Sequence, residues 1–346
     1  MRICFIVHVS CAFWMGCWAW LGGLYWHGCI AEVNAAPVVR SGLDPRFVPQ
    51  SISFRPGKGL TVRTKNDYFV LNIRARMQFL YSFDVESQEL LQSIRIRRAR
   101  LLFGGSWFGK HNKFKLELAI SPNDIDLSDG VVRRSPLLDG YVDFDYLRDL
   151  SLRIGQYKVP YSWERVASSG NQLFVDRSIV NREFTLDRDI GLELYSKDLG
   201  GWGLFRYHLG VYIGEGHSSF EKGDLGLMYI ARFEYTPLGR FKGDYTQGDL
   251  MRRRVLGLRL GVGYSFLDEA KRNRGLVGSE PKDGGTTDFH NINADILLKL
   301  RGWSLYGVFM WRQGTRNPGE VKNDVDQPRA VELARSGIGY MVHMSY

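Results

Sequence analysis

The feature that most constrains this chain is the stretch Leu137–Pro160, LLDGYVDFDYLRDLSLRIGQYKVP. It reads as two strands joined by a tight turn at Leu147-Arg148-Asp149. Leu138, Gly140, Val142, Phe144 and Tyr146 alternate with Asp139, Tyr141, Asp143 and Asp145. On the second arm Leu150, Leu152 and Ile154 alternate with Ser151, Arg153 and Gly155. A period of two assigns one set to each face of a sheet. The polar face carries three carboxylates on one arm and an arginine on the next. A soluble sandwich buries its apolar face, whereas a membrane barrel turns it to lipid and its polar face to a wet lumen. The local pattern serves both, so the remainder of the chain has to decide.

The connections decide it. Alternating patterns fall near 67–83, 92–108, 113–120, 137–147, 149–159, 190–197, 202–213, 225–236, 253–267, 288–299, 302–312 and 336–346, about twelve strands. Tight turns at 109–112, 148–149, 198–201 and 301–302 alternate with long polar connections at 84–91, 121–136, 160–189, 214–224, 268–287 and 313–335. The exception is 237–252. Such alternation belongs to an up-and-down barrel, with short periplasmic turns and long extracellular loops, and Greek-key crossovers would break it. Trp107, Phe108, Trp202, Trp303 and Trp311 sit at strand ends, where an interfacial girdle is expected. The chain closes on Ile338, Tyr340, Val342, Met344 and Tyr346, alternating to a terminal aromatic.

The N-terminus predicts export. One basic residue, Arg2, precedes a long apolar segment and the small-residue site Val33-Asn34-Ala35. The expectation is a signal peptide over 1–35 cleaved after Ala35, with an uncleaved anchor as the competing reading. All four cysteines (Cys4, Cys11, Cys17, Cys29) lie in this leader. A mature chain without thiols suits an oxidising compartment. Residues 36–58, spaced by Pro37, Pro45, Pro49 and Pro56, read as an irregular periplasmic lead-in, and 59–346 as the barrel domain.

Catalytic patterns are missing: there is no His-Glu-x-x-His, no Cys-x-x-Cys, no Gly-x-Ser-x-Gly and no phosphate-cradling loop. Ser168-Ser169-Gly170 reads as a turn. The expectation is a protein that is not an enzyme and has no cofactor or metal. What the strands carry is arginine. Arg95, Arg97, Arg98 and Arg100 crowd one strand, and Arg153, Arg206, Arg232 and Arg259 sit on polar faces of others. An arginine facing lipid at the midplane costs roughly 2–4 kcal/mol, so these face water. Glu117, Asp139, Asp143, Asp145 and Asp295 share that wall. The net charge of +9 tilts the balance toward anions.

The connection 160–189, about thirty residues, is longer than an ordinary loop. It holds Arg165, Arg177, Arg182 and Arg188 among Phe174, Val175, Ile179, Val180 and Phe184. The apolar residues would anchor it inside the barrel and set its guanidiniums at a constriction, where they suit oxyanions.

Several segments together resemble the phosphate-selective porin O and P family: Arg97-Arg98-Ala99-Arg100-Leu101, Leu138-Asp139-Gly140-Tyr141-Val142, Leu152-Arg153-Ile154-Gly155-Gln156-Tyr157-Lys158-Val159-Pro160, Asp176-Arg177-Ser178 and Arg188-Asp189-Ile190-Gly191. Gly57-Lys58-Gly59-Leu60 and Gly337-Ile338-Gly339-Tyr340-Met341-Val342 extend the likeness to roughly 52–346. The resemblance implies sixteen-stranded, trimeric outer-membrane channels, some selective for phosphate or pyrophosphate. It carries Arg153, Lys158, Arg177 and Arg188 onto the anion path, beside Arg182 of the same loop. In the family, more strands usually follow the segment near 339–346, so this chain reads as a smaller closed barrel or a truncated one.

The sequence therefore predicts an all-β, transmembrane, antiparallel up-and-down barrel in the outer membrane of a Gram-negative bacterium. It passes small inorganic anions, phosphate or polyphosphate among them, by diffusion. Its partners are outer-membrane lipid and two copies of itself, with no nucleic acid. A non-conducting structural or adhesive surface barrel is the alternative, and a secreted polyanion-binding sandwich the more remote one.

Overall fold

Valine, leucine, isoleucine and aromatics alternating with polar residues extend and pair along much of the described chain. The structure, a computed structural model, describes residues 3–9, 31–33, 44–86, 89–125, 127–128, 131–132, 135–218, 226–322 and 326–346. It divides into two units, Met1–Asp143 and Phe144–Tyr346.

In the first unit Ile3–Val9 (β1) and Ala31–Val33 (β2) are extended and pair with later strands. The rest of the expected leader, with its cleavage site after Ala35, lies outside the described residues. Pro49–Arg55 (β3) and Gly59–Thr64 (β4) form a hairpin. The lead-in is thus not irregular to residue 58, and β3 and β4 both precede the first strand expected, near 67–83. Pro49 is tolerated because it stands at the first position of its strand. Phe69–Glu86 (β5) and Glu89–Trp107 (β6) pair over their full length. The expected long connection at 84–91 is therefore mostly strand. Asn112–Ala119 (β7) follows. The short helix Pro122–Ile125 (α1) and the two-residue strands Leu127–Ser128 (β8) and Val131–Val132 (β9) lie in the next connection. All but the last residue of Leu137–Phe144 (β10) belongs to this unit. The β5–β6 register slips between Gln78 and Phe79. Opposite that slip Arg97 is inserted as a bulge, which is how arginines 97 and 98 stand side by side without both pointing inward. Arg98 and Arg100 are buried, and Arg100 pairs with Glu117 at 2.8 Å.

The second unit is a meander in which each strand pairs with the next. Its strands are Ser151–Lys158 (β11), Arg188–Leu199 (β12), Phe205–Tyr212 (β13), Met228–Tyr235 (β14), Gly257–Ala270 (β15), Thr286–Leu300 (β16), Trp303–Asn317 (β17) and Gly337–Ser345 (β18). The antiparallel up-and-down order is as expected. Arg301 and Gly302 alone join β16 to β17, with φ of 51° and 95°. A type I′ turn needs positive φ at both central positions, and Gly302 adopts it freely. Connection 160–189 contains two short helices, Trp163–Val166 (α2) and Ile179–Phe184 (α3). Among the described residues no helix is long and apolar enough to cross a membrane.

The faces of the second unit are reversed relative to a soluble sheet. Leu209, Val211, Tyr229, Phe233, Leu260, Val262, Tyr264, Ile292, Phe309, Ile338, Tyr340 and Val342 are exposed on one face. The opposite face buries Arg232, Glu234, Arg259, Asn291, Asn293, Asp295, Lys299 and Arg312. Outward apolar and inward polar is the arrangement of a sheet solvated by lipid.

Candidate functional site

Strand register builds the centre of the polar face. Arg206 is opposite Glu234, Glu234 opposite Gly261, and Gly261 opposite Asp295, one rung across β13 to β16. Arg232 and Arg259 reach this rung from the neighbouring ones. Gly261 makes the space, since a Cβ there would sit 2.3 Å from Arg232 Nη2. Arg232 Nε donates to Glu234 Oε1 at 3.0 Å, and its Nη2 lies 2.8 Å from Asp295 Oδ2. Arg259 Nη2 donates to Asp295 Oδ1 at 3.2 Å, and Arg206 Nη2 to Asp244 Oδ2 at 2.5 Å. Three expected lumen arginines are thus brought together, with three carboxylates among them. Arg232 and Arg259 are buried, so they are part of a filled, charge-balanced wall and not an open basic lining.

Two connections fill the space in front of that wall. Trp163 of α2 is fully buried in a cluster with Ala167, Val180, Phe184, Phe241, Leu297, Tyr306, Val308 and Met310. Its ring lies 4.7 Å from that of Tyr306, and the Arg259 guanidinium stacks over it at 4.7 Å. The expectation that 160–189 folds inward holds for Val180 and Phe184, whereas Phe174 and Ile179 are exposed. A six-residue helix has room to turn only one side to the core, and Val180 and Phe184, four apart, share that side. Connection 237–252 meets it. Asp244 O accepts from Trp163 Nε1 at 2.9 Å, and Tyr245 Oη donates to both Glu234 oxygens at 3.1 Å. Burial raises the Tyr245 phenol far above its ordinary pKa, with Glu234 adding to the effect, so it remains a neutral donor. Lys299 holds this connection in place: its Nζ donates to Gly243 O, Thr246 O and Gly248 O at 2.7, 2.7 and 2.8 Å.

The family-derived residues fall into three settings. Arg153 stacks over Tyr157 and Tyr195 at 5.1 and 5.0 Å, with Glu193 at 3.6 Å. Lys158 and Arg177 converge on the last turn of α2: Lys158 Nζ donates to Ala167 O at 3.2 Å and Arg177 Nη2 to the same oxygen at 3.0 Å. Arg177 Nε also donates to Glu164 O at 2.9 Å, and Glu164 accepts from Ser178 N and Oγ at 2.7 and 2.8 Å. This staple gives the segment its shape. Arg188 is buried beside Asp187, which also pairs with Arg165. Ser168 O accepts from Asn171 N at 2.8 Å, so the Ser-Ser-Gly run is the turn expected.

Arg182 stands apart, exposed on α3. With Glu183, Arg274 and Arg335 it lines a cavity of about 420 Å³. Glu183 is 3.3 Å from Arg335 and 4.0 Å from Arg274, so two guanidiniums share one carboxylate, with Arg182 a third cation on the cavity wall. On the other side of α3 lies Arg312, which sequence reading passed over. Its Nη1 donates to Glu183 O at 3.1 Å, its Nε donates to Asn291 Oδ1 at 2.7 Å, and Phe184 and Phe289 flank it at 5.3 and 5.2 Å. Arg312 is 1% exposed, its Nη2 has no hydrogen-bond partner, and it forms no ion pair among the described residues. The available signal was parity: it is the one cation in the inward series Tyr306, Val308, Met310, Arg312. Among the described residues no group of three His, Cys, Asp or Glu is placed to hold a metal ion.

Comparison with known proteins agrees with this architecture. Residues 71–258 match the family described as phosphate-selective porin O and P. A protein of Aquifex aeolicus (strain VF5), described as uncharacterized, is 29% identical over 164 residues, covering 41% of this chain and 39% of that protein. The chain thus spans about two fifths of the length of this relative.

Proposed function

We propose, for a chain that belongs to the phosphate-selective porin O and P family, passive diffusion of small oxyanions of the phosphate class across the outer membrane. This is a family of channels and not of enzymes. Export through a leader over residues 1–35, assembly as a homotrimer and contact with outer-membrane lipid belong to the same reading. The exposed apolar face of the second unit supports a lipid-spanning sheet, because arginines on that face would each cost roughly 2–4 kcal/mol at midplane.

One observation carries the anion reading: the sequence of cations around α3. Arg182, Arg274 and Arg335 outnumber Glu183 at the cavity, and Arg312 follows with an unsatisfied Nη2 and no carboxylate. A positive excess on a low-dielectric wall concentrates anions. Planar guanidinium forks replace part of the hydration of an oxyanion, and several weak sites in series allow it to leave. Arg153, Lys158, Arg177 and Arg188 belong to the proposed path as residues that shape the connection 160–189 around it.

The test is reversal potential in a planar bilayer under a KCl gradient, repeated with phosphate. The expected result is anion selectivity with phosphate reducing chloride current, and Arg312→Gln weakening that block about tenfold, the loss of one charge-assisted hydrogen bond. Cation-selective or unselective current in the wild type would overturn the proposal.

A further inference from the structure

The short-turn end of β15 to β18 carries a basic cluster that the channel reading does not use. Arg301 N donates to Arg253 O at 2.7 Å, and Arg252 Nη1 donates to Tyr346 Oη at 3.0 Å. These bonds gather Arg252, Arg253, Arg254 and Arg301 at one rim. Arg252, Arg254 and Arg301 are exposed. Among the described residues none of the four forms an ion pair, and the nearby Asp249 carboxylate is buried, accepting from the Arg253 and Gly302 N–H groups.

The apolar residues around this cluster are its second half. Leu250, Met251 and Val255 flank the three successive arginines and are 87%, 60% and 70% exposed. Trp303 and Tyr346 stand beside them, also exposed, with ring centroids 4.9 Å apart. Water does not sustain so much exposed apolar surface beside a charge cluster, whereas a headgroup layer accommodates both.

The third part is on the lipid-facing side of the same strands. A groove of about 520 Å³ is lined by Phe233, Tyr235, Leu260, Ile296, Gly307 and Phe309. Its floor is low because Gly307 has no side chain, and a Cβ there would lie 3.1 Å from Ile296 Cγ2. Ile296 pairs with Gly307, five residues along β16 from Arg301. At about 3.3 Å per residue that is roughly 16 Å from the rim, the depth of one leaflet of hydrocarbon, about 15 Å.

We infer that this rim and groove form a binding site for one anionic glycerophospholipid of the leaflet that meets the short turns. The phosphodiester lies among Arg252, Arg254 and Arg301, the glycerol region against Trp303 and Tyr346, and an acyl chain in the groove. A free anion would need the arginines but neither the exposed Leu250 and Met251 nor the groove. This inference rests on the membrane-spanning reading above and is independent of what the channel conducts.

The experiment reconstitutes the full chain into phosphatidylcholine nanodiscs containing a minor fraction of phosphatidylglycerol. The protein is then re-extracted in mild detergent, and retained lipids are counted by native mass spectrometry. The wild type is expected to enrich phosphatidylglycerol over phosphatidylcholine about tenfold, and the triple variant Arg252→Gln, Arg254→Gln, Arg301→Gln to lose that enrichment. Its conductance and ion selectivity should be unchanged. Equal retention of the two lipids by the wild type, or undiminished enrichment in the variant, would overturn the site while leaving the channel reading intact. A chain that does not enter nanodiscs at all would overturn the spanning reading and this site with it.

Discussion

Asp295→Asn is the sharpest perturbation of the polar wall. The substitution keeps the shape of the side chain and removes its charge from between two guanidiniums. Asp295 Oδ1 accepts from Arg232 Nη2 at 3.1 Å and from Arg259 Nη2 at 3.2 Å, and its side chain is fully buried. Taking one partner from a buried pair costs about 3–5 kcal/mol, because the remaining charge stays desolvated. Here each guanidinium keeps Glu234, which lies 3.0 Å from Arg232 and 3.7 Å from Arg259. The lower end, about 3 kcal/mol, is therefore expected, a shift of roughly a hundredfold in the folding equilibrium. The assay is urea unfolding in detergent micelles followed by tryptophan fluorescence, with Asp326→Asn as the comparison. Asp326 pairs with Lys322 at 2.9 Å in full contact with water, and the loss of such a pair costs at most about 1 kcal/mol. If Asp295→Asn costs no more than Asp326→Asn, the wall is hydrated and the charge-balance argument is wrong. A second readout follows from the same geometry: the variant leaves one uncompensated positive charge, so reversal potential should move toward stronger anion selectivity.

Lys299→Met removes the cation that three carbonyls of connection 237–252 share. The connection should loosen at a cost of about 2 kcal/mol, read as faster proteolytic cleavage between Phe241 and Asp249 and a larger single-channel conductance. A pH response is expected at the long-loop end, where Arg316 Nη2 donates to Asp283 Oδ1 at 2.7 Å. Burial pulls the Asp283 carboxyl upward, but the Gly319 N–H and the Arg316 guanidinium outweigh it and set its pKa below the ordinary 3.8. A depressed carboxylate stabilises the folded state above its unfolded pKa and loses that contribution as pH falls through the folded value. Protection of residues 271–285 against an acid-tolerant protease should thus persist at pH 5 and decline only as pH falls below the ordinary 3.8, and Asp283→Asn should abolish the difference.

The strand faces were legible because they depend on a period of two within one strand. Arg232 with Glu234, and Arg259 among Gly257, Gly261 and Gly263, face inward as the alternation requires. The connection 237–252 was legible only as the exception to the alternation of short and long; its inward turn onto Lys299 depends on contacts that strand periodicity does not carry. Pairing between strands was not legible, because Arg232 and Asp295 are 63 residues apart and meet only once register is set. Sequence reading therefore saw arginines and carboxylates on one wall and gave the excess to the arginines, where the fold cancels them. Of the strands missed at Pro49–Arg55 and Gly59–Thr64, the first was hidden by Pro49 and the adjoining Pro56, and the ends of β5 and β6 by the charged residues at 84–91. Phe174 and Ile179 counted as anchors on hydrophobicity alone, although helical spacing selects Val180 with Phe184.

Cancellation at the centre determines where selectivity can arise. Guanidiniums held 2.8 to 3.2 Å from buried carboxylates have their donors directed at protein. They contribute little field at a passing ion, because each positive charge sits beside a negative one at a distance far below the Debye length of about 8 Å. Rigidity is what such a cluster supplies, since both members must stay paired to remain buried. An ion feels the charges left over, and around α3 these are Arg182, Arg274 and Arg335 against one glutamate, then Arg312 against none. The helix positions them because Val180 and Phe184 fasten it to the wall while Glu164 and Arg177 brace the segment before it. On this view, changing Arg177 alters selectivity only by displacing α3, whereas changing Arg312 alters it with α3 in place. Conductance and selectivity should therefore change together in Arg177→Ala and separate in Arg312→Gln.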